Sequence, residues 1–194
     1  MANGKVIVGY AFPMVGRYAN NNGTVTYTGA RFLARGVDNQ IQPDQASDSG
    51  FYADNIRAES DAGKFRGGTL NQTVDGLFGE SEAFIMGLPT PTQDGYEYND
   101  DQAIPYVGSG WVTAWQSDGE RTYTANLLCK VKYNQIAKSA QTQGENVTYQ
   151  TQPLTARIER SDAAKHPWQW VSADFDTEEE ALSALKTKLG YTGQ

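Results

Sequence analysis

Residues 104–133 read IPYVGSGWVTAWQSDGERTYTANLLCKVKY, and this stretch decides the fold. Tyr123, Ala125, Leu127, Cys129, Val131 and Tyr133 fall on one side of a period-two pattern. Thr122, Thr124, Asn126, Lys130 and Lys132 fall on the other, with Leu128 the one dissenting position. Alternation over this length describes an antiparallel strand with one face buried, because successive side chains point to opposite sides of a sheet. Ser117-Asp118-Gly119-Glu120 supplies the turn, since Asp-Gly accepts positive φ at low cost. At about 3.3 Å per residue each arm reaches roughly 40 Å, about twice the usual strand. A long hairpin with one wet face is therefore expected.

The surrounding sequence supplies more strands. Residues 5–12 alternate Val6, Val8, Tyr10 and Phe12, and Pro13 is expected to end the strand. After a turn at Asn20-Asn21-Asn22-Gly23, residues 24–33 form a second strand with a bulge at Gly29. Residues 36–50, GVDNQIQPDQASDSG, are rich in Gly, Pro, Asp and Ser, have little to bury, and read as a long surface loop. Strand character resumes at Phe51-Tyr52-Ala53, turns at Asp54-Asn55, and returns over 56–60. A Gly-interrupted strand follows over 64–74.

A short helix is expected over 79–87, with acids in its first turn and Pro89 beyond it. Residues 89–101 and 134–143 read as polar connections. Residues 147–158 form a strand that Pro153 confines to an edge or a bulge. Trp168 and Trp170 share one face of a last short strand. Thr177-Glu178-Glu179-Glu180 is a capping box opening a helix over 177–189, with Leu182, Leu185 and Leu189 as its stripe and Gly190 as its stop. The residues alone give one domain over 1–194, mainly β, with long wet-faced antiparallel strands, a polar excursion and one or two helices.

Bulk properties narrow the function. The chain has 194 residues, 39% hydrophobic, and a mean hydropathy of −0.59, with no apolar run that spans a bilayer. The opening MANGKVIVGY lacks an export pattern, so cytoplasmic synthesis is expected. Sixteen basic and 23 acidic residues give a net charge of −7, which opposes gripping nucleic acid through phosphates but suits letting a polyanion pass. The one cysteine, Cys129, reads as a small core residue.

Catalytic and metal signatures are missing from the sequence. The single histidine, His166, precedes Pro167 in a connection with no activated serine beside it. One His and one Cys do not make a zinc site, and the acidic loops lack EF-hand spacing. No phosphate-binding glycine motif occurs, so no cofactor is expected. The three Asn-X-Thr sequons are chance matches without an export signal. Carboxylate pairs of glycosidase type are outweighed by a solvated acidic surface.

The order of segments adds a resemblance. The polar loop ending in Phe51-Tyr52-Ala53-Asp54-Asn55, the acidic turn at Glu59-Ser60 and the run Val74-Asp75-Gly76-Leu77-Phe78-Gly79 come first. Asp101-Gln102-Ala103-Ile104-Pro105-Tyr106-Val107-Gly108, the strand over 123–133, and Trp168-Gln169-Trp170 before a capped helix follow. From about Ile41 onward the chain resembles the major tail tube proteins of long, non-contractile-tailed bacteriophages; the turn-rich stretch over 13–24 departs from that family's tighter start. The resemblance implies a mainly β fold, an antiparallel β-sandwich with a short flanking helix and a C-terminal helix, in a non-enzymatic virion protein, made in the host cytoplasm, that forms hexameric rings stacked into a hollow tube. Its implied partners are copies of itself, the tape-measure protein and tail-end proteins, with DNA passing through unbound and no membrane. Within that reading, the length and polar composition of the loop assign ring-to-ring contacts to Asp38, Gln40, Gln42, Asp44, Gln45, Asp48, Phe51 and Tyr52, and the polar hairpin face places Thr122, Thr124 and Asn126 toward the lumen. The competing readings are a carbohydrate-binding β-sandwich using Trp111, Trp115, Trp168 or Trp170, a glycosidase or other hydrolase, and a ring-forming secretion-system tube protein.

Overall fold

A computed structural model describes residues 4–45, 50–53, 56–60, 64–142 and 149–193. The fold is mainly β and antiparallel. Ten strands and two helices run in the order β1 (Val6–Asn21), β2 (Thr24–Phe32), β3 (Gly36–Gln45), β4 (Gly50–Ala53), β5 (Ile56–Ser60), β6 (Phe65–Val74), α1 (Gly79–Met86), β7 (Val107–Ser117), β8 (Glu120–Tyr133), β9 (Gln152–Glu159), β10 (Gln169–Val171) and α2 (Glu178–Leu189). Eight strands make one sheet ordered β2-β1-β7-β8-β9-β6-β3, with β10 also pairing β8; β4 and β5 pair with each other.

The expected hairpin is the centre of this sheet. β7 and β8 pair from Ser117↔Glu120 inward, and Asp118 and Gly119 adopt φ of 50° and 88°. The sheet then folds over itself. Gln72 on β6 donates to the Tyr10 hydroxyl on β1 at 2.6 Å, although four strand-to-strand steps separate them along the sheet. At about 4.8 Å per step a flat sheet would hold them roughly 19 Å apart. The first core fills the fold, with Val15, Leu70, Val74, Trp111, Leu128, Val131, Tyr133 and Ile158 closed by Ile85 and Met86 of α1. The second lies on the outer face of β1, β7 and β8, where Ala181, Leu185 and Leu189 of α2 meet Met14, Val112, Ala125 and Leu127.

Burial on both sides overturns the wet-face expectation. Thr124 and Asn126 are only 5% and 7% exposed. Their polar atoms are satisfied inside the fold: the Trp115 indole donates to Thr124 Oγ1 at 2.8 Å, and Asn126 Nδ2 and the Trp111 indole each donate to Thr113 Oγ1 at 3.1 Å. Thr122 is half-buried. The single apolar face also divides. Between Val107↔Val131 and Ser109↔Leu128, β8 spends three steps against two on β7, so a bulge reverses side-chain parity. Ala125 and Leu127 therefore face α2, while Leu128, Val131 and Tyr133 face the first core. Leu128 dissented because the face changes there.

Other expectations fare variously. Pro13 does not end β1; an extra residue in the register between Ala11 and Met14 absorbs it, with Phe12 at φ 54°, and the strand runs on to Asn21. The bulge at Gly29 is present, at φ 60° where β2 gains a residue against β1. The loop expected over 36–50 is instead strand β3 as far as Gln45, paired with β6 from Gly36↔Val74 to Gln45↔Phe65. Pro153 lies where β9 has β6 as its only neighbour, so its missing N–H removes no ladder bond. Trp168 and Trp170 do not share a face: Trp168 packs on the first core and Trp170 on the second. In α2, Thr177 Oγ1 accepts from the Glu180 amide at 3.3 Å and Gly190 takes φ 64°, as capping requires. Leu182 sits at the flank of the buried stripe and Ala181 in its centre.

Candidate assembly surface

β2 and β3 terminate the sheet path, so each has an outer edge with no strand partner among the described residues. Such edges are templates for pairing with another chain unless charge, proline or bulges blunt them. β3 carries Pro43 and exposes Asp38, Gln40, Gln42 and Asp44, while Asn39 and Ile41 turn inward and are half-buried. Four of the eight sequence-derived contact residues, Asp38, Gln40, Gln42 and Asp44, thus form one exposed face of an edge strand. Gln45 ends that strand, Phe51 and Tyr52 lie in β4, and Asp48 lies outside the described residues.

The start of β1 is a second unusual feature. Val6 and Ile7 are 60% and 64% exposed and Val8 is exposed as well, so both faces of the strand offer apolar side chains to solvent. Over Val6 to Ala11 this strand pairs with β7 alone; β2 joins it only from Met14 onward. Beside it lies an open groove of about 1280 Å³, walled by Tyr10, Phe12, Phe32, Leu77, Phe78 and Tyr191. Phe78, at the lip, is 78% exposed. Gly36 enters this region directly against the Tyr10 ring, where a Cβ would collide with it.

Two polar networks hold the connections around this surface. Glu82 on α1 accepts from the Tyr98 hydroxyl and the Lys138 ammonium, tying residues 89–106 and 134–142 to the helix. Burial disfavours the Glu82 charge, but the hydrogen bonds from Lys138 and Tyr98 outweigh it and hold the carboxyl below the ordinary glutamate range. At the other end, Lys130 and the Tyr18 hydroxyl donate to Asp162 Oδ2 at 3.0 and 2.9 Å, and the Asp162 amide donates back to Tyr18. Hydrogen bonds from Lys130 and then Tyr18 lower the Asp162 carboxyl. Lys130 also lies 4.6 Å from the centre of the Tyr106 ring. His166, exposed at φ 50°, places Nδ1 3.0 Å from the Ser161 carbonyl and takes part in no cluster of catalytic groups.

The four tryptophans do not assemble a platform. Trp111 is buried, and Trp115, Trp168 and Trp170 are half-buried; Trp168 is stacked on Phe65 at 4.4 Å between ring centres. Cys129 is buried, and burial raises its thiol. Among the described residues no group of three His, Cys, Asp or Glu side chains is placed to hold a metal ion, and no helix is long and apolar enough to cross a membrane.

One cluster escaped the sequence reading. Arg17 on β1 and Arg31 on β2 both point at the Phe84 ring of α1, with guanidinium carbons 4.8 and 4.3 Å from its centre. The three come from separate segments, and nothing local in the sequence joins them. Comparison with known proteins adds no identity: no protein-family model and no curated protein sequence matches the chain.

Proposed function

We propose that this chain is a structural subunit that self-assembles into rings stacked as a hollow tube, of the kind the tail tube proteins of long, non-contractile-tailed phages build. The observation that carries the reading is the pair of unpartnered sheet edges, β2 and β3, together with the bare apolar start of β1. Open edges are a hazard in a monomer and become the bonding surface when copies close head to tail. A hexameric ring is the closed form taken here, with a tape-measure protein and tail-end proteins as further partners. Genome passage down such a tube is favoured by a net charge of −7, which repels a polyanion.

Within this reading the exposed face of β3 and the β4–β5 hairpin beyond it form an arm that reaches the next copy. Among the described residues β4 and β5 pair with no other strand, and a two-stranded ribbon is marginal in water without a surface to lie on. Thr124 and Asn126 are covered within their own chain and are not assigned to the lumen. No catalytic step is assigned to any residue. Deleting residues 44–48 tests the arm: the expected product is rings that fail to lengthen, and tubes of normal length and stability would refute the assignment.

A further inference from the structure

Arg17 and Arg31 stand together and form no ion pair among the described residues, although Glu80 lines the same groove as Arg31. The ion pairs among the described residues are Lys5–Asp174, Arg35–Asp75, Lys130–Asp162 and Lys138–Glu82, and neither arginine is in one. Both are half-buried, and burial, then the neighbouring Arg31 charge, disfavours the Arg17 cation. Stacking on Phe84 attracts both cations but neutralises neither charge. An anion between two guanidinium forks would gain paired, charge-assisted hydrogen bonds.

Several acids have partners within their own chain. Asp75, Asp162, Asp174 and Glu82 have the partners just named, and Glu178, Glu179 and Glu180 sit on the positive end of the α2 dipole. Other acids, Glu80 among them, also form no ion pair among the described residues, but Asp38 and Asp44 stand exposed on β3, a terminal strand of the sheet without a base. β2, the opposite end of the sheet path, has Arg31 and no acid. The two free edges of one sheet therefore carry opposite charge. A phosphate backbone would also suit two arginines, but the apolar wall that Arg31 shares with Phe32 and Phe78 suits a carboxylate on a folded surface better.

We propose that Arg17, Arg31 and Phe84 receive a carboxylate from the exposed face of β3, Asp38 or Asp44, of a second copy of this chain. The contact is heterologous, so it propagates an assembly from copy to copy. It rests on the assembly reading above and names the surface that receives the arm.

The test is zero-length cross-linking. Copies carrying Arg31→Lys, which keeps the charge and supplies an amine, are mixed as isotope-labelled and unlabelled protein and treated with a carbodiimide. The expected result is a link from position 31 to Asp38 or Asp44 between labelled and unlabelled chains. In parallel, R17Q/R31Q and D38N/D44N should each raise the concentration needed for half-assembly by roughly 10- to 100-fold, as loss of a charge-assisted hydrogen bond requires. The aspartates are exposed, so D38N/D44N keeps the fold even if the arginine variant does not. Assembly of D38N/D44N at the wild-type concentration, or a link from position 31 to another acid, overturns this inference and leaves the assembly reading standing. Wild-type protein that remains monomeric overturns both. Retention of the arginine-dependent site on a short DNA duplex, with no chain-to-chain link, overturns it in favour of phosphate.

Discussion

Replacing Tyr133 with phenylalanine removes one oxygen from the middle of the folded-over sheet. That hydroxyl donates to Gln72 Oε1 at 3.0 Å and lies 3.1 Å from Ser109 Oγ, while Gln72 Nε2 donates onward to Tyr10. The chain of bonds links β1, β6, β7 and β8. Burial pushes the Tyr133 hydroxyl up to about 12 against the opposing hydrogen bond with Ser109, so it stays a neutral donor at ordinary pH. Without it, the Gln72 oxygen loses this donor in a residue only 1% exposed. An orphaned buried acceptor costs about 1–3 kcal/mol. That is roughly a 5- to 150-fold shift in the unfolding equilibrium, and about 2–12 °C in Tm for a chain of this size. Guanidinium unfolding followed by tryptophan fluorescence reads it directly. Adding Gln72→Leu removes the orphan, so the double variant should lose at least about 1 kcal/mol less than the sum of the singles. A Tyr133→Phe protein within about 0.5 kcal/mol of wild type, a surface-like value, would refute the network, as would strict additivity.

Three further outcomes follow from particular contacts. The Glu82 carboxyl is depressed in the fold, so the stability it contributes is complete above the ordinary glutamate value of about 4.3 and disappears as pH falls through its lower folded value. Hydrogen exchange in residues 134–142 should accelerate there, and E82Q, at a cost of about 1–2 kcal/mol, should remove that pH dependence; an unchanged profile would contradict it. A Cβ at Gly110 would lie 2.5 Å from Leu185 Cδ1 and 2.8 Å from the Asn126 carbonyl, so G110A should cost about 1–3 kcal/mol and disturb the seating of α2 in near-ultraviolet dichroism. T124C should react with a bulky maleimide as slowly as native Cys129, and Q42C rapidly; equal rates would mean that the inner face is open after all.

Much of the architecture was legible where local chemistry decides it. The Asp118-Gly119 turn, the Gly29 bulge and the Thr177 cap each depend on a few adjacent residues, and each stands where its sequence places it. The errors came from tertiary context. Asp38, Gln40, Gln42, Pro43 and Asp44 read as loop because nothing in them asks to be buried, yet an edge strand needs only one inward side, here Asn39 and Ile41. The wet face of the hairpin was misread because a bulge near Cys129 reverses parity and because the folded-over sheet covers Thr124 and Asn126. Leu128 held the clue. Val6-Ile7-Val8, three apolar residues in succession, also carried a signal: both faces of that strand needed an owner, and none of the described residues covers them. Arg17, Arg31 and Phe84 left no trace, since only the register of β1 against β2 and the docking of α1 bring them together.

Negative-stain electron microscopy of the purified protein, concentrated and incubated, with mass measured by light scattering on the same sample, tests the central claim most directly. The account predicts rings or tubes with a central hole and a mass that is a multiple of the 21.3 kDa chain, consistent with six copies per ring. Particles that keep the mass of one chain at every concentration, with no ring in any field, would contradict it.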